Sequence, residues 1–447
     1  MKNTFRGGVH PVEHKELTRE SRLRLFDPKG EMVYPLQMHI GKPAKPIIKK
    51  NDPVLVGQRI AEADGFVSAH IHASCSGTVK GIEKRRTLTG GLMECIVIDN
   101  DGQFTPAADY TKRADDRSIS NQEILDRVRE AGIVGLGGAG FPTHVKLQPK
   151  NPDAIEYVIL NGAECEPYLT CNDQLMRWHN AEIVEGLELI LRLFPNAQGV
   201  IAIEENKPEA IADMKRAAEG KNRITVRVMQ TKYPEGGERS LIQVIAGVDF
   251  PLSALPADVG CIVQNVGTAY AIQRAVLYGE PLYSQCFTLS GDAVAQPGNY
   301  IVRVGTSFAE LVESAGGCQG EVRKALVGGP MMGIALGTLD VPIQKQNNGL
   351  VLLKEDPVVQ AEELMTNCLR CGRCTTVCPV GLTPQLMADA AIAQDWERYE
   401  KKLYGLDCIQ CGSCTFACPA KRPLTPTFKQ AKAEILAKKK REGGGQK

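Results

Sequence analysis

Two runs of cysteines with identical spacing, near the end of the chain, carry the clearest chemical signal. Each reads Cys-x2-Cys-x2-Cys-x3-Cys-Pro, the first from Cys368 and the second from Cys408. Three thiolates at this spacing can wrap one face of a cuboidal cluster, and the fourth, beside a proline that turns the chain away, is free to ligate another cluster. The spacing therefore predicts two 4Fe-4S clusters that exchange their fourth ligand. The expected ligands are Cys368, Cys371, Cys374 and Cys418 for the first cluster, and Cys408, Cys411, Cys414 and Cys378 for the second.

Other uses of cysteine fit these runs less well. Structural zinc takes four ligands, usually as two separated pairs, so it has no use for a third closely spaced cysteine in each run or for the repeated Cys-Pro. Disulfide frameworks belong to small secreted domains. The runs are instead typical of bacterial two-cluster ferredoxins. The other seven of the 15 cysteines are scattered, which suits a reducing cytoplasm, and most are expected to be small buried residues: Cys75, Cys95, Cys165, Cys171, Cys261, Cys286 and Cys318.

A glycine-rich loop is the second chemical signal. Its glycines are Gly135, Gly137, Gly138 and Gly140. The letters match a dinucleotide-binding fingerprint, but that motif should follow a strand and open a helix. This loop follows a predicted helix, which a capping box opens at Ser120–Glu123, and Pro142 interrupts what comes next. Backbone N–H groups of glycines can still approach a phosphate closely, and Lys146 can add a charge. We expect a phosphate-bearing cofactor here, with a flexible turn as the alternative.

Three further loops carry polar residues directly after predicted strands. They are Asn161–Pro167, Tyr233–Glu238 and Gln264–Thr268. Each alone could be an ordinary solvated turn. Ligands bind α/β sheets at the carboxyl ends of their strands, however, so several such loops in one domain favour a binding site.

The elements that position these loops alternate between strand-like and helix-like runs from about residue 120 to residue 280, which predicts an α/β layer architecture. Residues 31–100 instead contain short apolar runs broken by Gly, Pro and Asp-Gly, an all-β signature. Within them, Asn51–Ile60 and Ala73–Val79 resemble the barrel-sandwich hybrid of biotinyl and lipoyl carriers, but no lysine occurs between Lys50 and Lys80 to carry such a group. We therefore expect an unmodified docking or packing domain.

The fold class predicted from these patterns is multidomain α+β. The expected parts are an N-terminal segment (1–30), the barrel-sandwich hybrid (31–100), a central α/β domain that carries the glycine loop (119–283), a β-grasp domain (284–320), a glycine-rich connecting region with strands (321–357), an α-helical ferredoxin-like domain with both clusters (358–437), and a disordered basic and glycine-rich tail (438–447).

The bulk composition excludes several classes of protein. A length of 447 residues suits about three domains. The net charge of +1 gives no broad field for nucleic acid, and we expect no such partner. Neither a signal peptide nor a run of ~18 apolar residues is visible, so we expect attachment to a membrane to be peripheral at most.

The combination of motifs resembles a known family. The run Gly135–Lys146, with the three loops above, resembles the flavin- and NADH-binding subunit of respiratory complex I. The whole order, including Gly-Gly-Val-His-Pro near the start and two ferredoxin motifs at the end, is similar to the C subunit of the Rnf ion-translocating ferredoxin:NAD oxidoreductase. The resemblance covers nearly all of residues 5–430.

This resemblance implies roles for individual residues. FMN would be held at its phosphate and ribityl side by Gly135, Gly137, Gly138, Gly140, Lys146, Gln264, Asn265 and Thr268, and near its isoalloxazine by Asn161, Glu164, Cys165 and Tyr233. The dinucleotide NAD(H) would meet Phe141, Glu166 and Glu238. Three positions depart from the complex I pattern: Leu136 replaces an arginine, Ala163 an aspartate and Gly237 a glutamate. The resemblance therefore supports flavin binding more firmly than the nicotinamide contacts.

The resemblance also implies a function and partners. The chain would pass electrons between NAD(H), FMN and two 4Fe-4S clusters on the cytoplasmic face of the cell membrane. Its partners would be other subunits of a membrane-bound complex, including an iron–sulfur subunit that exchanges electrons with ferredoxin. Two alternatives remain open: a soluble cobalamin reductase of metabolosome type, in which the hybrid barrel lies near the C-terminus, and a non-catalytic iron–sulfur adaptor without flavin.

Overall fold

The computed structural model describes residues 3–251 and 253–444, with the side chain of Arg117 excepted. The chain divides into two compact units. The first, named here the core unit, comprises residues 13–228 and 256–355. The second, named the cluster unit, comprises the described parts of residues 1–12, 229–255 and 356–447.

The strands are numbered in chain order. They are β1 (Arg24–Phe26), β2 (Met32–Pro35), β3 (Lys45–Pro46), β4 (Pro53–Val54), β5 (Arg59–Glu62), β6 (Ile71–His72), β7 (Gly77–Arg86), β8 (Leu92–Asn100), β9 (Tyr157–Asn161), β10 (Gln198–Glu204), β11 (Ile224–Met229), β12 (Cys261–Asn265), β13 (Ser284–Ser290), β14 (Gly298–Arg303), β15 (Lys324–Val327), β16 (Ile334–Ala335) and β17 (Gly349–Leu353).

The α-helices are numbered in the same way. They are α1 (Asn121–Glu130), α2 (Thr143–Lys146), α3 (Cys171–Trp178), α4 (Asn180–Arg192), α5 (Pro208–Ala217), α6 (Glu238–Ala246), α7 (Val266–Tyr278), α8 (Phe308–Ser314), α9 (Pro357–Glu363), α10 (Arg373–Thr376), α11 (Pro384–Ile392), α12 (Ser413–Phe416) and α13 (Leu424–Gly444).

A four-stranded sheet forms the centre of the core unit, in the order β11-β10-β9-β12. Strands β10 and β12 both pair with β9 in parallel, and their register places Ala202 and Asn265 beside Asn161. The interior of β9 is an unbroken apolar run, as expected where helices cover both faces. The predicted alternation of strands and helices is therefore observed, and the loops after β9 and β12 meet at one edge.

Residues 31–100 form two small antiparallel sheets, β2-β8-β7-β4 and β3-β5-β6. Their inward-facing side chains, including Tyr34, Ile60, Ile71 and Ile96, form one buried hydrophobic cluster. This is the barrel predicted from the short apolar runs. At its tip the exposed Gly65 has a φ of 116°, so only glycine is unstrained there.

A six-stranded sheet contains more of the chain than predicted. Its order is β1-β14-β13-β17-β15-β16, so strands from the N-terminal segment and from residues 324–353 join the β-grasp hairpin of β13 and β14. The predicted connecting region, residues 321–357, was expected to contain strands that bridge to the last domain; the strands are present, and they pair into this sheet. All five residues of β17, which pairs with β13 in parallel, are buried.

The cluster unit is mostly helical. Helices α11 and α13 pack through a hydrophobic cluster that includes Met387, Tyr399 and Phe428. The predicted disordered tail is wrong as far as Gly444, because α13 continues to that residue and Lys439 pairs with Glu400. Residues 445–447 lie outside the described residues. No helix within residues 3–251 and 253–444 is both long and apolar enough to cross a membrane.

Candidate functional site

The eight motif cysteines surround two separate cavities in the cluster unit. One cavity is lined by Cys368, Cys371, Cys374 and Cys418. The other is lined by Cys378, Cys408, Cys411 and Cys414. Each cavity thus takes three cysteines from one run and the fourth from the other run. Four thiols around one cavity are a donor set that suits a 4Fe-4S cluster.

The backbone of each run curls around its cavity in the same way. Arg370 and Gln410, each between the first two cysteines of a run, have φ values of 52° and 58°. These turns aim their N–H groups back at sulfur: Arg370 N lies 3.4 Å from Cys368 Sγ, and Gln410 N lies 3.4 Å from Cys408 Sγ. N–H donors to sulfur stabilise thiolates and tune cluster potentials. The local fold therefore prepares both sites for deprotonated sulfur.

Burial penalises thiolates at the second cavity. It raises the pKa of Cys408 to about 11 and that of Cys414 to about 12, and the neighbouring thiols of the same cavity add to both shifts. Such groups are costly to ionise unless a cation compensates the charge. Iron ions would supply that charge, so the donor set fits a metal cluster. Among the described residues, no group of three or more His, Cys, Asp or Glu side chains converges on a position for a single metal ion.

The glycine loop of the core unit is closed at its base. Gly135 N donates to Phe141 O at 2.9 Å, and Thr143 N donates to Ile133 O at 3.0 Å. Gly137 and Gly140 have φ values of 67° and 69°, which other residues rarely adopt. A Cβ atom on Gly138 would have no heavy atom within 4 Å. The space beside the backbone of Gly138 is therefore open, and a ligand could approach the loop closely there.

The loop lies over the carboxyl edge of the parallel sheet. Leu136 N donates to Thr268 Oγ1 at 3.1 Å. Asn265 caps α7, because its Oδ1 accepts from Gly267 N at 2.7 Å. Gln264 is 3% exposed, and its Nε2 is among the buried side-chain atoms of the described residues that have no hydrogen-bond partner. Because a buried unpaired donor costs stability, this amide fits a site that a polar cofactor completes.

A concave pocket continues from this edge along α7. Its near end is lined by Leu136, Gly137, Asn265, Gly267 and Asn348. Its far end is lined by His179, Tyr270, Arg274, Glu280 and Cys286. The glycine loop, the amino end of α7 and the strand ends therefore share one concave space, and an α-helix amino end favours a phosphate group.

The loop after β9 rests on two buried lysines that were not predicted. Lys15 Nζ donates to Glu164 O at 2.9 Å and to Glu166 O at 3.0 Å. Lys207 Nζ donates to Ala163 O at 2.6 Å. Burial, followed by the charge of Lys207, lowers the pKa of Lys15. No motif identifies these lysines, because they act on backbone carbonyls that are distant in sequence.

Two predicted cofactor contacts are engaged within the protein. Lys146 Nζ donates to Val263 O at 2.8 Å, which attaches α2 to β12. The Glu164 carboxylate accepts from Asn172 N at 2.8 Å and Asp173 N at 3.3 Å, at the amino end of α3. Cys165 follows on the same loop and is partly exposed. Some of the polar side chains that were predicted to contact a cofactor, Lys146 and Glu164, therefore stabilise the fold through backbone hydrogen bonds.

Glu166 has a similar structural contact. Its carboxylate accepts from Met331 N at 3.0 Å and Met332 N at 2.9 Å, within the turn between β15 and β16. This contact differs from the predicted one with the dinucleotide. Phe141 is partly buried, and its carbonyl closes the glycine loop.

The remaining two predicted residues belong to the cluster unit. Tyr233 is 1% exposed, and its hydroxyl donates to Cys411 O at 2.6 Å. It also pairs with Val9 through two backbone hydrogen bonds of 2.8 and 2.9 Å. Glu238 is the first residue of α6. Tyr233 thus connects its loop to the second cysteine run, which no sequence motif had indicated.

Four family models match successive parts of the chain. They are the RnfC barrel sandwich hybrid domain over residues 3–103, the Nuo51 FMN-binding domain over 128–274, the SLBB domain over 286–335 and a 4Fe-4S dicluster domain over 363–419. This order confirms the predicted multidomain architecture and the predicted FMN and iron–sulfur cofactors.

Several curated proteins match most of the chain. The C subunit of the proton-translocating ferredoxin:NAD(+) oxidoreductase complex of Clostridium ljungdahlii is 41% identical over 99% of this chain and 96% of its own length. The C subunit of the Na(+)-translocating complex of Acetobacterium woodii is 42% identical over 98% of each. Among solved structures, a chain of an NAD+-reducing NiFe hydrogenase aligns with a TM-score of 0.51 at 22% identity, over 71% of this chain and 61% of its own, which is a likeness of fold.

Proposed function

The chain belongs to the family of C subunits of ion-translocating ferredoxin:NAD(+) oxidoreductase complexes, and from this membership we propose that it exchanges electrons between NAD(H) and two 4Fe-4S clusters by way of FMN. The observation that carries the proposal is that one chain holds both a glycine-loop site at a sheet edge and two four-cysteine cavities. FMN supplies the conversion of a two-electron hydride transfer into the single-electron steps that clusters accept.

The residues of the core unit would bind and orient this cofactor. The backbone N–H groups of the glycine loop and the amino end of α7 offer donors to a phosphate. Gln264 offers its buried amide, Thr268 accepts from Leu136 N and so holds the loop against α7, and Asn265 caps that helix. Lys146 and Glu164 would act by fixing β12 and the loop after β9, because both already hold backbone atoms. Asn161 and Cys165 complete the proposed flavin side of the site.

The dinucleotide contacts are proposed for Phe141, Glu166 and Glu238, with Tyr233 near the flavin. Substituting Glu238 by glutamine should raise the KM for NADH while the FMN content stays unchanged. Glu166→Gln is the matched comparison, because that carboxylate holds the amides of Met331 and Met332. If Glu166→Gln lowers thermal stability without changing the KM, its role is structural. An unchanged KM in Glu238→Gln would contradict the dinucleotide assignment.

The proposed partners are the other subunits of a membrane-bound electron-transport complex. They include an iron–sulfur subunit that exchanges electrons with ferredoxin, and the place of assembly would be the cytoplasmic face of the membrane. Separation of membranes in high and low salt, with the chain followed by immunoblotting, tests this placement. Recovery of the chain with washed membranes only while the other subunits are present would support it; recovery in the soluble fraction in their presence would contradict it and favour a soluble reductase.

The central experiment is anaerobic purification of the chain, followed by assays of iron, sulfide and FMN. NADH should then bleach the flavin absorbance and produce reduced-cluster signals in electron paramagnetic resonance. Normal iron and sulfide in a chain that takes up no FMN would leave the non-catalytic adaptor as the function. Bound FMN that NADH cannot reduce would also contradict the proposal.

A further inference from the structure

The segment Gln344–Asn348, named here the strap, runs beside the glycine loop from its base to its tip. It lies directly before β17 of the six-stranded sheet. Lys345 Nζ donates to Gly132 O at 2.7 Å, just before the loop begins. A Cβ atom on Gly137 would lie 3.3 Å from Asn348 Nδ2, and one on Gly140 would lie 3.6 Å from Gln346 Cβ. Three strap residues thus approach three positions along the loop.

Lys345 joins three parts of the core unit. It is 1% exposed, and its Nζ donates to His70 O in the barrel at 2.6 Å as well as to Gly132 O. A Cβ atom on Gly132 would lie 2.3 Å from His70 O and 2.8 Å from Lys345 Nζ, so the junction has no room for a side chain. Burying an amine is costly, and these two carbonyls offset part of that cost. The base of the loop is therefore held at a fixed distance from the barrel.

The strap is itself held by its own sheet and by α3. Gln285 Nε2 donates to Gln344 O at 2.6 Å, and Thr288 N donates to Asn348 O at 3.0 Å. Cys171 Sγ, at the start of α3, lies 3.3 Å from the same Asn348 oxygen. Because its backbone is fixed on both sides, the strap can position a side chain precisely.

The side chain of Asn348 lines the cavity next to the loop. The position that a Cβ on Gly137 would occupy lies 3.3 Å from its Nδ2 and 3.6 Å from Asn265 Nδ2, so two carboxamides flank the tip of the loop. The amino end of α7 opens at the same place. The buried Gln264 amide, which has no hydrogen-bond partner within residues 3–251 and 253–444, belongs to the same strand end. Amides, glycine N–H groups and a helix amino end together form a typical environment for a phosphate.

We propose that Asn348 is a further binding residue for the phosphate end of the flavin and that Lys345 is a positioning residue that holds the glycine loop in its binding conformation. The six-stranded sheet thereby completes a site otherwise built from the α/β layer. This inference rests on the proposed function only in that FMN binds at the glycine loop.

The test compares two ligands, FMN and riboflavin, which lacks the phosphate. Affinities are measured by fluorescence titration of the chain depleted of flavin, with its clusters intact. Asn348→Asp places a carboxylate at the site proposed for the phosphate, so it should weaken FMN binding at least tenfold while riboflavin binding changes less than twofold. Asn348→Ala should weaken FMN binding severalfold, with the same selectivity. Equal losses for both ligands, or no loss, would overturn the assignment of Asn348.

Lys345→Met keeps the length of the side chain and removes its hydrogen bonds. It should weaken FMN binding about tenfold and make the glycine loop more sensitive to proteolysis, while iron content and cluster spectra stay unchanged. Arg323→Met, at an exposed position beside β15 of the same sheet, is the control and should change neither. If Lys345→Met does not fold, Lys345→Gln replaces it; its side chain is shorter and cannot reach both carbonyls, so a smaller but still measurable loss of FMN affinity is expected. Unchanged FMN affinity in a folded variant would overturn the positioning role.

The outcome separates this inference from the proposed function. A wild-type chain that binds no FMN would contradict the proposed function itself. A wild-type chain that binds FMN normally, with variants of unchanged affinity, would contradict only the strap.

Discussion

The two cysteine runs have the same spacing but different surroundings. In the first run, Cys368 and Cys371 are exposed and the intervening Leu369 is 63% exposed. In the second run, Cys411 is 7% exposed and its carbonyl accepts the Tyr233 hydroxyl. Ile409, the counterpart of Leu369, is partly buried. Spacing therefore sets which sulfurs can share a cluster, whereas the rest of the cluster unit sets how much water reaches it.

This difference matters because exposure, burial and hydrogen bonds to sulfur are what tune the potential of a cluster. Two chemically identical clusters in these two places should differ in potential and in lability. The exposed first site is the one that we expect to face solvent or a partner protein.

The largest effect is expected from removing a shared ligand. Cys378→Ala changes a cysteine of the first run, but it should destroy the second cluster, because Cys378 lines the cavity of Cys408, Cys411 and Cys414. Iron content should fall from about eight to about four per chain. Cys418→Ala is the matched variant and should destroy the first cluster instead. Electron paramagnetic resonance of the remaining cluster identifies which was lost, and retention of the same cluster in both variants would contradict the exchange of ligands.

A second large effect concerns loss of iron. With an iron chelator under mild oxidation, the wild-type chain should lose iron in two phases of about equal size, the fast phase coming from the exposed first site. In Cys378→Ala only the fast phase should remain, and in Cys418→Ala only the slow phase. A single phase in the wild type would mean that the difference in exposure has no effect on lability.

The contrast between burial and exposure can also be tested on carboxylates, without metal. Burial, and then the charge of Glu164, raises the pKa of Asp173 in the core unit to about 6. Because its folded pKa is higher than its unfolded one, the folded state binds the extra proton between about pH 4 and pH 6, and stability falls as pH rises through that range. Asp173→Asn should remove this fall and stabilise the core unit at pH 7 by about 1–2 kcal/mol.

The control for Asp173 is the exposed Asp109. Its pKa is lowered by hydrogen bonds from Thr111, so its contribution to stability is present above its unfolded pKa and is lost as pH falls. Asp109→Asn should therefore act in the opposite direction and weakly. Thermal unfolding measured from about pH 2 to about pH 8 covers both ranges, because the effect of Asp109 lies below its unfolded pKa and that of Asp173 above its own. Parallel profiles for Asp173→Asn and the wild type would contradict the effect of burial.

The smallest effect is expected from Tyr233→Phe. It removes the hydroxyl that donates to Cys411 O and should destabilise the second site by about 1 kcal/mol. The midpoint of thermal loss of the second cluster should fall, while that of the first stays unchanged. Tyr404→Phe, at an exposed tyrosine of the same unit, is the control. Equal shifts at both clusters would show that Tyr233 stabilises the unit as a whole.

Much of the fold was predictable because its signals are local. The strand and helix periods between residues 120 and 280 predicted β9, β10, α4 and α7 to within about two residues. Strands after residue 320 were predicted, but their sheet was not, because short apolar runs between glycines acquire a partner only when β13 is in place. Lys345 and Asn348 were missed for the same reason, since their contacts lie more than two hundred positions away in the sequence.

The amino-acid sequence by itself determined the cysteine spacing, the glycines that permit a backbone to curl, and the alternation that builds a parallel sheet, because these depend on neighbouring residues alone. Only the tertiary structure decided which polar side chains remain for a ligand. Glu166 and Lys146 hold backbone atoms, whereas the Gln264 amide is left without a partner among the described residues. The physical reason is that a buried polar group takes whatever partner the fold places within hydrogen-bonding distance, and that partner is seldom nearby in the sequence.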